Sequence, residues 1–312
     1  MKSYRVEIIP RSAWGGPLQA DTLFGHLCWA LVYTEGENAL RDFLRLFETP
    51  EPPLVLSNGF LKGCLPRPLL PPVTMALERR DFEVVKQLKR VTLLDEEWLL
   101  ATRQGLSENK VQDVLFQNRN VGKEDPWHGE LTYHNIIDRQ TDSVLTEGGF
   151  FQSLDYHLPD DARLNVYVKT DFFSETALEK LFDVVAQGGF GRDKSAGMGA
   201  FRFELFNFAF PPLPNANGFV SLSNFVPTPD DPTEGYYDLM TKFGKLGGDF
   251  GVGSIHSGGV HNPFKKPLIM LRCGSVFRDT PVREWYGGLI SGVHTNPDIR
   301  HYGMCYPLEV RL

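Results

Sequence analysis

The sequence predicts an α+β fold made of two ferredoxin-like (RRM-like) domains, the first carrying a long insertion. Three observations carry this expectation. Apolar residues alternate along Tyr4 to Ile9, Gly149 to Leu158, Arg163 to Asp171 and Ala200 to Phe210, and recur at helical spacing along Ala20 to Val32 and Ser174 to Gln187. With a further strand-like stretch at Leu54 to Leu65, the order is strand, helix, strand, insertion, strand, helix, strand. That is the split β-α-β of the ferredoxin-like fold, which RNA-recognition domains share. Finally, 312 residues exceed one ordinary domain, and Pro211-Pro212-Leu213-Pro214 is a stiff linker between two parts. The expected domains are 1–210, with an insertion at about 66–148 and a glycine-rich loop at 187–199, and 215–312.

In the first helix, Asp21 is placed to cap, and Leu23, Phe24, Leu27 and Leu31 form the buried face. His26 sits one position off that stripe and reads as a partly exposed, neutral, structural histidine. A second helix, Ala39 to Phe47, is stopped by Pro50, Pro52 and Pro53. The run Pro66-Arg67-Pro68 ends the strand that precedes the insertion. Within the insertion, Phe82 to Val91 and Asp95 to Thr102 read as short helices. Asn118 to Ser143 is polar and irregular but contains Trp127 and Tyr133, which suggests an ordered protrusion whose tip meets a partner. His128 and His134 have no carboxylate or cysteine at ligand spacing, so a metal site is not expected. Ser174 is an N-cap with Glu175 in the first turn. Past the linker, Gly218 to Asn224 reads as a strand, Tyr236 to Phe243 as a short helix, Lys265 to Arg278 as a strand pair around Gly274, and Tyr306 to Arg311 as a terminal strand.

Composition narrows the function. The apolar fraction of 42% and charged fraction of 23% are those of an ordinary soluble protein. No apolar run approaches the roughly 20 residues needed to span a bilayer, and the N-terminus lacks a signal peptide's apolar core. A cytoplasmic protein is expected. Its four cysteines are scattered with no C-x-x-C pair, so neither disulfides nor a zinc site is signalled, and no motif calls for a cofactor. A net charge of −7 argues against coating nucleic acid over the whole surface, yet permits a local basic groove.

The stretch around which the chain is organised is Gln187-Gly188-Gly189-Phe190-Gly191-Arg192-Asp193-Lys194-Ser195-Ala196-Gly197-Met198-Gly199. It joins a helix to a strand. A nucleotide-binding P-loop runs from strand to helix and needs G-x-x-x-x-G-K-[ST], so neither order nor spacing fits. Consecutive main-chain N–H groups with Arg192 and Lys194 suit a phosphodiester chain lying across the loop. The alternative is an over-long turn whose glycines serve tight packing. A second basic cluster, Lys265, Lys266, Arg272 and Arg278, reads either as a further contact or as a strand edge defended by cations.

Three segments in this order resemble the CRISPR-associated RAMP superfamily. They are Ala20-Asp21-Thr22-Leu23-Phe24-Gly25-His26-Leu27-Cys28-Trp29-Ala30, His134-Asn135-Ile136-Ile137-Asp138-Arg139-Gln140-Thr141, and the glycine-rich loop. With Lys266-Pro267-Leu268 through Phe277, and His301 through Leu308, the chain is similar to the fourth Csm subunits of type III-A CRISPR effector complexes, the Cas-five-like branch. The resemblance implies two ferredoxin-like domains and no enzymatic activity. It implies that the chain holds the 5′ repeat-derived tag of a guide RNA, contacts the large signature subunit and the first backbone RAMP subunit, and meets target RNA only indirectly. By position it puts Gly188, Gly189, Gly191, Arg192, Lys194, Ser195, Gly197 and Gly199 at the RNA, with Arg139 near it. It also implies that the insertion serves as a thumb. Asp193, a carboxylate amid the loop, is read as holding Arg192 or Lys194 in place. The competing readings are a RAMP endoribonuclease using His26, His134 and Lys194 as acid and base, the equivalent type III-B subunit, and a protein bridge without RNA contact.

Overall fold

A computed structural model describes residues 1–72, 86–145, 149–251 and 262–312. β1 (Lys2–Pro10) leads into α1 (Ala20–Glu35) and α2 (Glu37–Arg45), and β2 (Val55–Leu56) follows. The insertion then adds a small sheet of Cys64–Pro66, Leu93–Asp95 and Gly122–Lys123. It also supplies α3 (Glu96–Thr102) and α4 (Glu108–Gln117). A two-stranded antiparallel ribbon, β3 (His128–Asn135) and β4 (Phe150–His157), precedes β5 (Leu164–Thr170), α5 (Glu175–Gly188) and β6 (Phe201–Asn207).

The main sheet runs β6-β1-β5-β2, every neighbour antiparallel, with α1 after the first strand and α5 after the third. This is the expected split β-α-β arrangement. Val6, Ile8, Val166 and Val168 meet Leu23, Phe24, Leu27, Leu31, Phe182 and Val185 in one core, as the helical spacing requires. Each such side chain contributes about 1.5–3 kcal/mol when fully buried. The opposite sheet face is covered too: Val55 and Tyr167 are buried with Leu65, Leu94, Leu99 and Leu115 from the insertion and Val220 and Tyr306 from the C-terminal part. The part of that face over β5 and β2 is therefore closed to the base stacking that RNA-recognition domains use, while Arg202 and Glu204 on β6 stay exposed.

Beyond the proline linker stand β7 (Gly218–Ser221), β8 (Gly235–Tyr236), β9 (Leu239–Lys242), β10 (Leu268–Leu271), β11 (Val276–Arg278), β12 (Tyr286–Ile290), β13 (His301–Cys305) and β14 (Pro307–Val310). Their sheet is β14-β7-β11-β8, antiparallel throughout, which repeats the strand order of the first sheet. Among the described residues no α-helix lies beyond α5. The second unit thus keeps the ferredoxin-like strand order without helical crossovers. Each unit places a two-stranded ribbon between its second and third strands, β3–β4 in one and β9–β10 in the other.

Several expectations are corrected. Tyr236 to Phe243 is not a helix but β8 and β9, because Met240 pairs with the buried Met270 across β9–β10 while Leu239 and Thr241 point outward. Asn118 to Ser143 is not irregular: it contains the strand Gly122–Lys123, the whole of β3 and a short strand at Ile137–Asp138. α1 begins at Ala20 behind Gln19, so Asp21 does not cap. Its sheltered carboxylate instead meets Lys242 Nζ at 2.8 Å, tying the first helix to the second unit. Asp95 and Ser174 do cap, accepting from the amides of Trp98 and Ala177. For the helix expected at Phe82 to Val91, residues 82–85 lie outside the described residues, and 86–88 are helical.

Candidate nucleic-acid interface

The glycine loop begins where α5 ends at Gly188 and closes on β6. Gly189, Gly191, Gly197 and Gly199 all have positive φ, between 69° and 89°. They divide by surroundings. A Cβ on Gly199 would stand 1.9 Å from the Phe190 carbonyl oxygen, and one on Gly189 would stand 2.9 Å from that of Met198. These two close the loop on itself, with Phe190 N–H donating to Gly199 O at 2.9 Å. Gly188, Gly191 and Gly197 face open space. Gly189 and Gly199 thus serve a tight packing turn, while Gly188, Gly191 and Gly197 leave the outer side of the loop open.

The loop rests on groups the sequence reading did not single out. Gly199 N–H donates to Ala13 O at 2.8 Å, Ala200 N–H to Ser12 Oγ at 2.9 Å, and Phe190 packs on buried Trp14. Gly15 has no room for a side chain, because its Cβ would lie 2.6 Å from Cβ of Arg192. Two glycines after a tryptophan in the β1–α1 turn were the available signal. His26 Nε2 accepts from Gly191 N–H at 2.9 Å. Burial, aided by the nearby Lys194 ammonium, pushes its pKa down to about 4, which keeps it neutral and able to accept.

With Phe190, Gly191, Gly197, Met198 and Gly199 amides bonded within the protein, those of Arg192, Asp193, Lys194 and Ser195 meet no backbone acceptor among the described residues. Asp193 adopts the left-handed conformation at φ 57° and turns the chain there. The Lys194 side chain forms no ion pair among the described residues, whereas Arg192 is engaged. Arg192 Nε meets Asp193 Oδ2 at 3.0 Å, and Nη2 donates to Leu154 O at 2.5 Å. Asp193 therefore holds Arg192, one of the two options read from sequence.

The ribbon rising from this loop has two unlike faces. His134, Phe151, Thr132, Ser153, Glu130 and Asp155 share one face, on which Ser153 Oγ donates to Asp155 Oδ1 at 2.8 Å. With that proton committed, His134 Nε2, 2.8 Å from Ser153 Oγ, is the donor. The other face carries Leu131, Tyr133, Phe150 and Leu154, with Tyr133 and Phe150 stacked at 5.7 Å and exposed by 59% and 60%. Trp127, at the base, packs on Trp14 and Tyr156 and belongs to the body.

Other expected contacts are not gathered at the loop. Arg139 is exposed in the turn at the ribbon's tip, about 15 Å or more beyond Leu154 at 3.3 Å per residue. Lys265 lies by Asp21 and Cys28, and at 3.6 residues per turn Cys28 is about 200° around α1 from His26. Its Nζ donates to Arg300 O, and burial lowers its pKa. Lys266 Nζ donates to Gly292 O, while Arg272 and Arg278 pair with Asp238 and Glu234. The second basic cluster is thus a set of internally engaged cations. Among the described residues no group of three or more His, Cys, Asp or Glu could hold a metal ion, and no helix is long and apolar enough to cross a membrane.

No protein-family model matches the chain, and no curated protein matches it. Solved structures do. A chain of the Csm1-Csm4 cassette crystallised with pppApA aligns with a TM-score of 0.61 at 17% identity, covering 100% of this chain and 99% of that one. A chain of the Csm3-Csm4 subcomplex of the type III-A CRISPR-Cas interference complex aligns at 0.59 and 13%, covering 99% of each. A chain of the type III-B Cmr-beta complex bound to cognate target RNA aligns at 0.50 and 12%, covering 88% and 86%. Csm4 is the component common to the first two assemblies, and the present chain has that α+β fold along its whole length.

Proposed function

We propose that this chain is a non-catalytic, RNA-binding subunit of a type III-A CRISPR ribonucleoprotein. It holds the 5′ repeat-derived tag of a guide RNA on the glycine loop and bridges a Csm1-type large subunit to a Csm3-type backbone subunit, with the ribbon serving as the thumb. The observation that carries this reading is full-length structural likeness to chains of both a Csm1-Csm4 and a Csm3-Csm4 assembly. Likeness to the type III-B chain is weaker and partial, which favours the type III-A assignment. The four amides of residues 192–195, which meet no backbone acceptor among the described residues, and the open glycines 188, 191 and 197 support phosphate binding at the loop.

The endoribonuclease reading finds less support. A general base for a 2′-OH must have a free lone pair within reach of that proton. The Nε2 lone pair of His26 is taken by Gly191 N–H, and His134 donates to Ser153 at a distance from Lys194. Incubating the purified chain with labelled repeat RNA, with and without EDTA, separates the possibilities. Retention of intact RNA under both conditions is expected. Cleavage products would establish an enzyme, and no retention would leave a protein bridge.

A further inference from the structure

The glycine loop and the ribbon lie 38 residues apart in sequence at their point of contact, and among the described residues the hydrogen bond and ion pair between them both come from one side chain, Arg192. Its backbone is wedged against Gly15, and its guanidinium reaches the ribbon at Leu154 O and, 3.8 Å away, at Asp155 Oδ1. Asp155 is a built partner. It is only 7% exposed and receives hydrogen bonds from Thr132 on the facing strand and Ser153 on its own. Those bonds, the Thr132 bond foremost, together with the nearby Arg192 and His134, hold its carboxyl below the usual range and keep it charged. One residue closer to the body, Trp14 and Tyr156 exchange two backbone hydrogen bonds at 2.8 Å and anchor the ribbon's base. Beyond Leu154, toward the tip, the hydrogen bonds of β3 and β4 run only within the ribbon and its tip among the described residues. A two-stranded ribbon is at best marginally stable by itself, so its direction depends on what braces it near the base.

We propose that Asp155 is a positioning residue: through Arg192 it fixes the ribbon against the glycine loop, so that the loop amides and the Tyr133–Phe150 face engage one RNA strand as a single surface. This rests on the RNA-binding reading above. It makes Arg192 a brace as well as a cation at the RNA, and it gives a buried carboxylate beside a phosphate site a reason to be there. It also carries a sign opposite to simple electrostatics. Removing a negative charge next to an RNA site should tighten binding by Coulomb's law alone. Removing a brace should weaken it.

The test uses the full chain, with Asp155→Asn, Arg192→Gln and the double variant. Hydrogen exchange is read without RNA, and affinity is read by anisotropy with a labelled oligouridylate. Asp155→Asn is expected to speed exchange at 190–199 and 128–135 together while β1 and β5 stay protected, which shows that the fold is intact. Arg192→Gln is expected to give the same pattern, and the double variant no more than either single one, the mark of residues acting as a unit. Affinity for the oligouridylate should fall by roughly three- to tenfold in Asp155→Asn, about 0.7–1.4 kcal/mol. Unchanged exchange, additive effects of the two substitutions, or tighter RNA binding by Asp155→Asn would each overturn the proposal. A parent chain that binds no oligouridylate overturns the RNA-binding reading instead, and the exchange data still decide whether Asp155 couples loop and ribbon.

Discussion

Replacing Gly199 by alanine and, separately, Gly197 by alanine distinguishes a packing turn from a nucleic-acid surface. Both residues have positive φ, 69° and 89°, where a Cβ costs about 1–2 kcal/mol. At Gly199 the added atom would also fall 1.9 Å from Phe190 O and 2.7 Å from Phe190 N. That backbone must shift, and with it goes the Phe190 N–H to Gly199 O hydrogen bond, worth about 1 kcal/mol. Gly199→Ala is therefore expected to lose about 2–4 kcal/mol of stability, and its RNA affinity should fall only as the loop distorts. At Gly197 nothing stands within 4 Å, so the loss should stay near about 1–2 kcal/mol. Its Cβ, however, would project into the space that the proposed function gives to a phosphodiester chain, so on that proposal RNA affinity should suffer disproportionately. Urea unfolding gives the stabilities, and anisotropy with labelled repeat RNA gives the affinities. Proportional loss of both quantities in the two variants would refute the division of labour among the glycines. A Gly199→Ala chain as stable as the parent would refute the steric argument itself.

Three further outcomes are expected. Lys194→Ala should weaken RNA binding about equally for any sequence of equal length and lower the salt slope by about 0.7 with unfolding unchanged, whereas Arg192→Ala should also loosen the ribbon; a double variant indistinguishable from the parent at every salt concentration would remove the loop from the RNA site. Tyr133→Ser with Phe150→Ser should leave the fold within about 0.5 kcal/mol, since both rings are mostly exposed, yet impair assembly with guide RNA and backbone subunit, each lost base stack being worth about 1–3 kcal/mol; a collapsed melt would show that the ribbon face is core. Because His26 is held at about 4 against an ordinary 6.5, the unfolded chain takes up a proton that the folded loop refuses. Stability should thus be level with respect to this group above about pH 6.5 and fall as pH drops toward 4, and His26→Gln, which keeps an acceptor for Gly191, should flatten part of that slope in urea unfolding.

Much of the fold was legible because the N-terminal unit obeys simple periods. Leu23, Phe24, Leu27 and Leu31 repeat as a helix buried on one face must, and β1, β5 and β6 alternate. The ribbon was not legible. β3 turns Leu131 and Tyr133 to solvent and its hydrogen-bonded polar residues inward, the reverse of an ordinary half-buried strand, and its partner β4 starts 15 residues after β3 ends. The short helix expected at Tyr236 to Phe243 failed because in a run of eight mixed residues the cross-strand partner β10, far along the chain, decides the conformation. Asp21 looked like a cap by type and place, and tertiary pairing with Lys242 overrode that. At the interface, the glycines and both cations of the loop were readable. Ser12 and Trp14, on which that loop rests, and Asp155, beside Arg192 on the ribbon, were not, since their ties to the loop are long-range contacts.

Whether the glycine loop holds the guide RNA is tested most directly by ultraviolet cross-linking of the chain to a labelled repeat-derived RNA, followed by mass spectrometry of the cross-linked peptides. Cross-links are expected within 187–199 and on the ribbon at Tyr133 or Phe150, and they should disappear from the loop in the Arg192→Ala, Lys194→Ala double variant. Cross-links confined to 215–312, or none at all with the intact chain, would contradict that placement.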